Sequence, residues 1–215
     1  MVSDMTNQAT TQAPDQAPDQ APDQAMTDPR PLLAAAVRTG REVIAAVRPD
    51  QLSLSTPCEE FDVRGLCGHL IRVLRMFAAV GRDGDPNALP NVIEGIDDDA
   101  WAATWDADAA DMTAAWADPA ELGKMKFLGF ATLPGAVATA IYASELTVHT
   151  WDLAKATGQS PIWDDAVVAG SLDGMRVALP AEPRGDGMIP FGAVVEVAVD
   201  APAIDQLVAW TGRKP

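Results

Sequence analysis

Glu145-Leu146-Thr147-Val148-His149-Thr150-Trp151-Asp152-Leu153-Ala154 is the stretch on which the reading of this chain turns. A helical residue advances about 100° around its axis, so Glu145, His149 and Asp152 fall within about 60° of one another. Val137, Ile141 and Val148 flank that polar stripe on one side, and Tyr142, Leu146 and Leu153 on the other. Thr139, Ala143, Thr147, Thr150 and Ala154 occupy the opposite face. An acid and a histidine thus sit mid-way across the apolar face of a helix, where a folded helical bundle has its axis.

Working outward, the same periodicity recurs. The spacing predicts one helix through Leu33, Val37, Gly40, Ile44 and Val47, ending before Pro49. A second spans about Val63 to Val80, with Asp62 as its N-cap and Gly81 near its end. A third follows Asp97-Asp98-Asp99, carries Trp101, Trp105, Met112 and Trp116, and stops before Pro119. The fourth begins near Pro134 and reaches about Thr157, where Gly158 stops it. Lys124 to Phe130 reads as a structured loop or short strand, Asp164 to Leu179 as a fifth helix, Phe191 to Val199 as an extended segment, and Ala203 to Trp210 as a short closing helix. Four long amphipathic helices and a smaller mixed tail predict an all-α bundle with a short C-terminal extension.

The chain has two histidines, and both are placed on helices. His69 falls between Met76 and Val80 in the apolar arc of the second helix, while Arg64, Arg72, Arg75, Gly65 and Gly68 fill the solvent side. A lone inward histidine is more often a satisfied core residue than a ligand, and Glu145 could pair with a buried arginine or stay protonated. Two inward histidines with a glutamate one turn from one of them favour a different solution. A divalent cation neutralises the carboxylate and accepts both imidazoles, and two histidines with one glutamate is a catalytic zinc arrangement. Iron also accepts two histidines and a carboxylate. Asp152 can orient His149 from behind, or accept a proton. Three protein ligands leave tetrahedral zinc one position short. Cys67 faces away from His69 and Cys58 precedes the helix, so neither cysteine is expected to fill that position.

Composition narrows the partners. With 48% hydrophobic residues a substantial core can be buried, and a net charge of -16 excludes nucleic-acid backbones and anionic membrane surfaces. No apolar run approaches the roughly 20 residues that span a bilayer, the N-terminus lacks a secretory pattern, and two cysteines are too few for a disulfide scaffold, which makes the cytoplasm the default location. Residues 1–27 carry three consecutive Ala-Pro-Asp-Gln repeats from Ala13 to Gln24 and are expected to form a disordered leader before a single domain over 28–215. The oligomeric state stays open, a homodimer included.

Thr56-Pro57-Cys58-Glu59-Glu60-Phe61-Asp62-Val63-Arg64, then Gly68-His69-Leu70, the Glu145 to Ala154 stretch, and the closing Asp205 to Arg213 together resemble the actinobacterial DinB-like proteins related to the N-terminal domain of mycothiol-dependent maleylpyruvate isomerase. The resemblance spans roughly Pro29 to Pro215. It implies an up-down-down-up four-helix bundle whose metal ligands fall on His69, Glu145 and His149, with zinc first and nickel or iron as substitutes. It further implies a low-molecular-weight thiol cofactor, mycothiol or bacillithiol, used in isomerisation or transfer on a small electrophilic substrate. A metal-dependent hydrolase and a non-catalytic metal- or ligand-binding protein are the alternatives. The resemblance is not expected to extend to the separate C-terminal domain of the isomerase, so it does not by itself imply maleylpyruvate as the substrate.

Overall fold

The computed structural model describes residues 28–182, 184 and 191–215, and the predicted leader lies outside the described residues. Among the described residues six α-helices carry the fold: α1 (Arg30–Ala45), α2 (Val63–Gly81), α3 (Trp101–Ala115), α4 (Gly135–Thr157), α5 (Asp165–Ala178) and α6 (Ala203–Trp210). One hairpin, β1 (Met125–Phe127) antiparallel to β2 (Thr132–Pro134), joins α3 to α4 with Lys126 opposite Leu133.

Local signals explain the ends. Asp62 accepts a hydrogen bond from the Gly65 amide at 2.8 Å and caps α2, and Asp164 accepts from the Ala166 and Val167 amides to cap α5. Gly158 closes α4 in the left-handed conformation at φ 70°, which an L side chain resists. The C-terminus of α2 falls at Gly81, as the spacing predicts. Gly81 remains helical, and the left-handed turn is taken two residues later by Asp83 at φ 58°.

Helices α1 to α4 share one apolar core. α1 packs on α4 and α3, and α2 packs on α3 and α4. Leu33, Val43 and Ile44 enter it from α1, Leu66, Leu70, Leu74 and Phe77 from α2, and Trp101, Trp105 and Met112 from α3. Trp116 stacks on Phe77 at 4.3 Å, and Phe77 stacks on Tyr142 at 4.1 Å, so one aromatic column ties α3, α2 and α4 together. The mostly helical architecture is consistent with an all-α DinB-like fold.

The surroundings of α4 add packing that its own spacing does not carry, and two expectations elsewhere are corrected. The face of α4 that carries Thr139, Ala143, Thr147, Thr150 and Ala154 is buried. A second core built from Val148, Trp151, Val168, Leu172, Leu207 and Val208 lies between α4, α5 and α6, so α4 is covered almost all round. Small side chains there permit close helix approach. Phe191 to Val199 forms no strand and is anchored to α6 through the Val195 amide on the Ala209 carbonyl. Arg72 and Arg75 are not free in solvent. Arg75 pairs with Asp108 of α3 at 2.8 Å, and Arg72 Nε is buried without a hydrogen-bond partner. Among the described residues no helix is long and apolar enough to cross a membrane.

Candidate metal centre

His69 on α2 and Glu145 and His149 on α4 converge across the contact between those two helices. His69 Nε2 lies 3.4 Å and His149 Nε2 3.3 Å from the same oxygen, Glu145 Oε1. The imidazole rings meet edge to face, with centroids 4.9 Å apart. Each ring is fixed from its far side. His69 Nδ1 lies 3.2 Å from the Asn91 carbonyl, and His149 Nδ1 lies 3.0 Å from Asp152 Oδ2. A carbonyl can only accept, so His69 Nδ1 donates to it, and the ring turns Nε2 toward Glu145. Phe61 stacks on the outer face of His69 at 4.9 Å.

The anchoring of His69 depends on Gly68. This residue was expected on the solvent side of α2, yet it is buried beneath the segment that follows Asn91. A Cβ at Gly68 would lie 2.5 Å from the Ile93 carbonyl oxygen, and the Ile93 amide donates to the Gly68 carbonyl. The bare backbone of Gly68 lets the segment close over α2 and present the Asn91 carbonyl to His69.

Behind His149, Asp152 is fully buried and holds two partners. Arg213 Nε donates to Oδ1 at 3.1 Å and Arg213 Nη2 to Oδ2 at 2.8 Å, in a two-point ion pair. Arg213 enters from just beyond α6, where its amide bonds the Val208 carbonyl and its Nη1 the Thr211 carbonyl. Spacing in the sequence does not point to Arg213, because the cation gives no hint of the buried aspartate it meets.

The charges respond to this arrangement. Burial alone raises the Glu145 carboxyl, but the His149 and His69 imidazoles outweigh it and hold the group well below the usual carboxylate range. Burial opposes charge on His149 too, and Glu145 and Asp152 reverse that, lifting its pKa to about 9. Asp152 is pushed up by burial and then brought below its ordinary value by hydrogen bonds from His149 and Arg213.

The three converging residues open on a cleft of about 460 Å³, within the size range of small-molecule sites. Its other walls include Cys58, Glu59, Glu60, Phe191 and Arg213. Cys58, ahead of α2, lines the mouth of the cleft. Its sulfur belongs with His149 and Asp152 to a group whose donor atoms lie within 4.8 Å of one another. Burial, followed by the nearby Asp152 charge, raises its thiol, against a smaller opposite pull from Arg213. Cys67 is buried in the core as expected, its thiol pushed up to about 12.

The family model of the mycothiol maleylpyruvate isomerase N-terminal domain matches residues 33–154. The chain belongs to that family. The matched span includes His69, Glu145, His149 and Asp152, and ends well before Arg213. Uncharacterized proteins from two strains of Mycobacterium tuberculosis are each 31% identical to it over 175 residues, which cover 80% of this chain and 90% of theirs. No solved structure matches the chain.

Proposed function

We propose that this protein is a metalloenzyme of the mycothiol-dependent isomerase or transferase type, in which His69, Glu145 and His149 hold one divalent ion, zinc first. The observation that carries this reading is the opposed orientation of each ring. Two Nε2 atoms face one carboxylate oxygen, while both Nδ1 atoms are engaged behind, by the Asn91 carbonyl and by Asp152. Ligating histidines are held in this way, their second nitrogen bound to a carbonyl or carboxylate that fixes tautomer and aim. Two imidazoles and a carboxylate suit zinc, with nickel or iron as substitutes.

A bound divalent ion would supply Lewis acidity, lowering the pKa of a coordinated small thiol so that thiolate is present at neutral pH. The residues of this chain do the rest. Asp152 is a positioning residue, because its carboxylate lies behind His149 and does not line the cleft. Arg213 holds Asp152 in place and closes one side of the cleft. Phe61 and Phe191 give it apolar wall, which keeps water from a reacting thiolate. We place the working unit at 28–215, as an up-down-down-up bundle of α1 to α4 with α5 and α6 as its extension, and treat 1–27 as a leader outside it.

The test is calorimetry of a mycothiol analogue on metal-loaded protein, in buffers of differing ionisation enthalpy. Binding with release of one proton, abolished in His149→Ala, is the expected result. Equal affinity with and without metal would remove the thiol cofactor and leave the hydrolase or binding-protein reading.

A further inference from the structure

The cleft over His69 and His149 adjoins a groove of about 650 Å³, and the two share Glu60 and Phe61. Their charges are lopsided. Glu59, Glu60 and Glu145 line the cleft, and Asp152 stands directly behind its wall. Among the described residues, Arg213 is the one lysine or arginine that lines it. That guanidinium already uses three of its five N–H donors, Nε and Nη2 on Asp152 and Nη1 on the Thr211 carbonyl, and its charge is matched by the Asp152 carboxylate. In the groove, Asp62 and Glu94 face Arg64, which is bound to Asp98 at 2.6 Å. The sequence outside the described residues contains no lysine or arginine that could redress the balance.

Even a divalent ion on His69, Glu145 and His149 leaves the cleft one negative charge in excess, counting the four carboxylates against the ion and Arg213. A bound thiolate would add another. An anion must also pass Glu59 and Glu60, both exposed, and meet the field of a chain of net charge -16.

We propose that this cleft selects uncharged or cationic ligands and rejects carboxylate- and phosphate-bearing ones, with Glu59 and Glu60 setting the selection. The proposal deepens the functional reading above by naming the charge class of what enters the same site. Its test needs neither metal nor thiol cofactor, so the two can fail separately.

Cys58 is a resident reporter, half-buried in the cleft wall, while Cys67 is fully buried and held in its unreactive thiol form. Iodoacetamide and iodoacetate deliver the same carbon to sulfur with loss of iodide, and differ by one negative charge. The full-length protein is treated with each, Cys58 modification is followed by peptide mass spectrometry, and the rate ratio is referred to that of 2-mercaptoethanol. The iodoacetamide preference at Cys58 is expected to exceed the reference about tenfold at low salt, and to shrink toward it at about 0.5 M salt as the charges are screened. In the E59Q/E60Q double variant it should fall at least about threefold. A ratio at the reference, or one favouring iodoacetate, overturns the proposal. An unchanged ratio in the double variant overturns the assignment to those two glutamates. Failure of both reagents to modify Cys58 would mean that the cleft admits no such solutes, and the proposal falls with it.

Discussion

Asp152 and Arg213 lie 61 positions apart and meet in a two-point ion pair of 3.1 and 2.8 Å, with the aspartate fully buried. Through that pair the tail of the chain reaches the centre. Arg213 holds Asp152, Asp152 holds His149, His149 and His69 face Glu145, and the Asn91 carbonyl holds His69. Both ends of the chain of contacts are backbone-anchored, by Asn91 on one side and by the carbonyl of Thr211 on the other.

Removing Arg213 strands a buried carboxylate. Arg213→Ala is expected to lower unfolding free energy by about 3–5 kcal/mol, the range for breaking a buried ion pair from one side. Asp152→Asn should weaken metal binding about 10–100-fold, because it removes the carboxylate that aims His149. Urea denaturation and metal titration of the two variants read these effects. Full stability in Arg213→Ala would show that the pair is dispensable.

The ligand set should behave as three residues from two helices. His69→Ala, Glu145→Ala and His149→Ala are each expected to lose most bound metal by elemental analysis, since each removes one of three donors. Cys67→Ala should keep full occupancy, because its sulfur is buried in the core, away from the cleft. Stoichiometric metal in Glu145→Ala would defeat the assignment.

Much of this was legible from side-chain periodicity. The boundaries of α2, α4 and α6, the buried tryptophans of α3 and the inward aim of His69 and His149 follow from apolar spacing and from Asp62, Gly158 and Pro119. What spacing could not carry were contacts between distant segments. Gly68 gave the signature of a polar face because nothing in α2 announces the segment at Ile93 that covers it. Cys58 carries no helical periodicity to place it, and only the turn from Thr56 to Phe61 brings it against His149 and Asp152. The small residues of α4 gave a weak face for the same reason: the second core against α5 and α6 is a tertiary fact.

Gly68→Ala probes the backbone anchor of His69. The added carbon would lie 2.5 Å from the Ile93 oxygen and 2.6 Å from Val92 Cγ1, so the covering segment must shift. Overpacking of this kind costs about 1–3 kcal/mol. The segment carries the Asn91 carbonyl, so metal affinity is expected to drop as well, by about 10-fold. A destabilised variant with unaltered metal affinity would show that Asn91 does not orient His69.

The pH dependence should have opposite signs with and without metal. In the metal-free protein His149 has a pKa of about 9, above the roughly 6.5 of an unfolded histidine. Its contribution to stability is therefore fully present below about 6.5 and is lost as pH rises through about 9. Glu145 and Asp152 are shifted down, so their contribution is present above the ordinary carboxylate range and is lost as pH falls through their lowered values. Stability of the metal-free centre thus declines on both sides of mildly acidic pH. Metal loading runs the other way, because a ligating imidazole must shed its proton. Between pH about 6.5 and 9, affinity should rise about tenfold per pH unit as one proton leaves His149. Competition titrations against a chelator of known pH dependence measure that slope, and thermal unfolding of chelator-treated protein measures the decline. A flat metal affinity across this window would mean that His149 is already neutral without metal, and that the Glu145 and Asp152 carboxylates do not hold its proton.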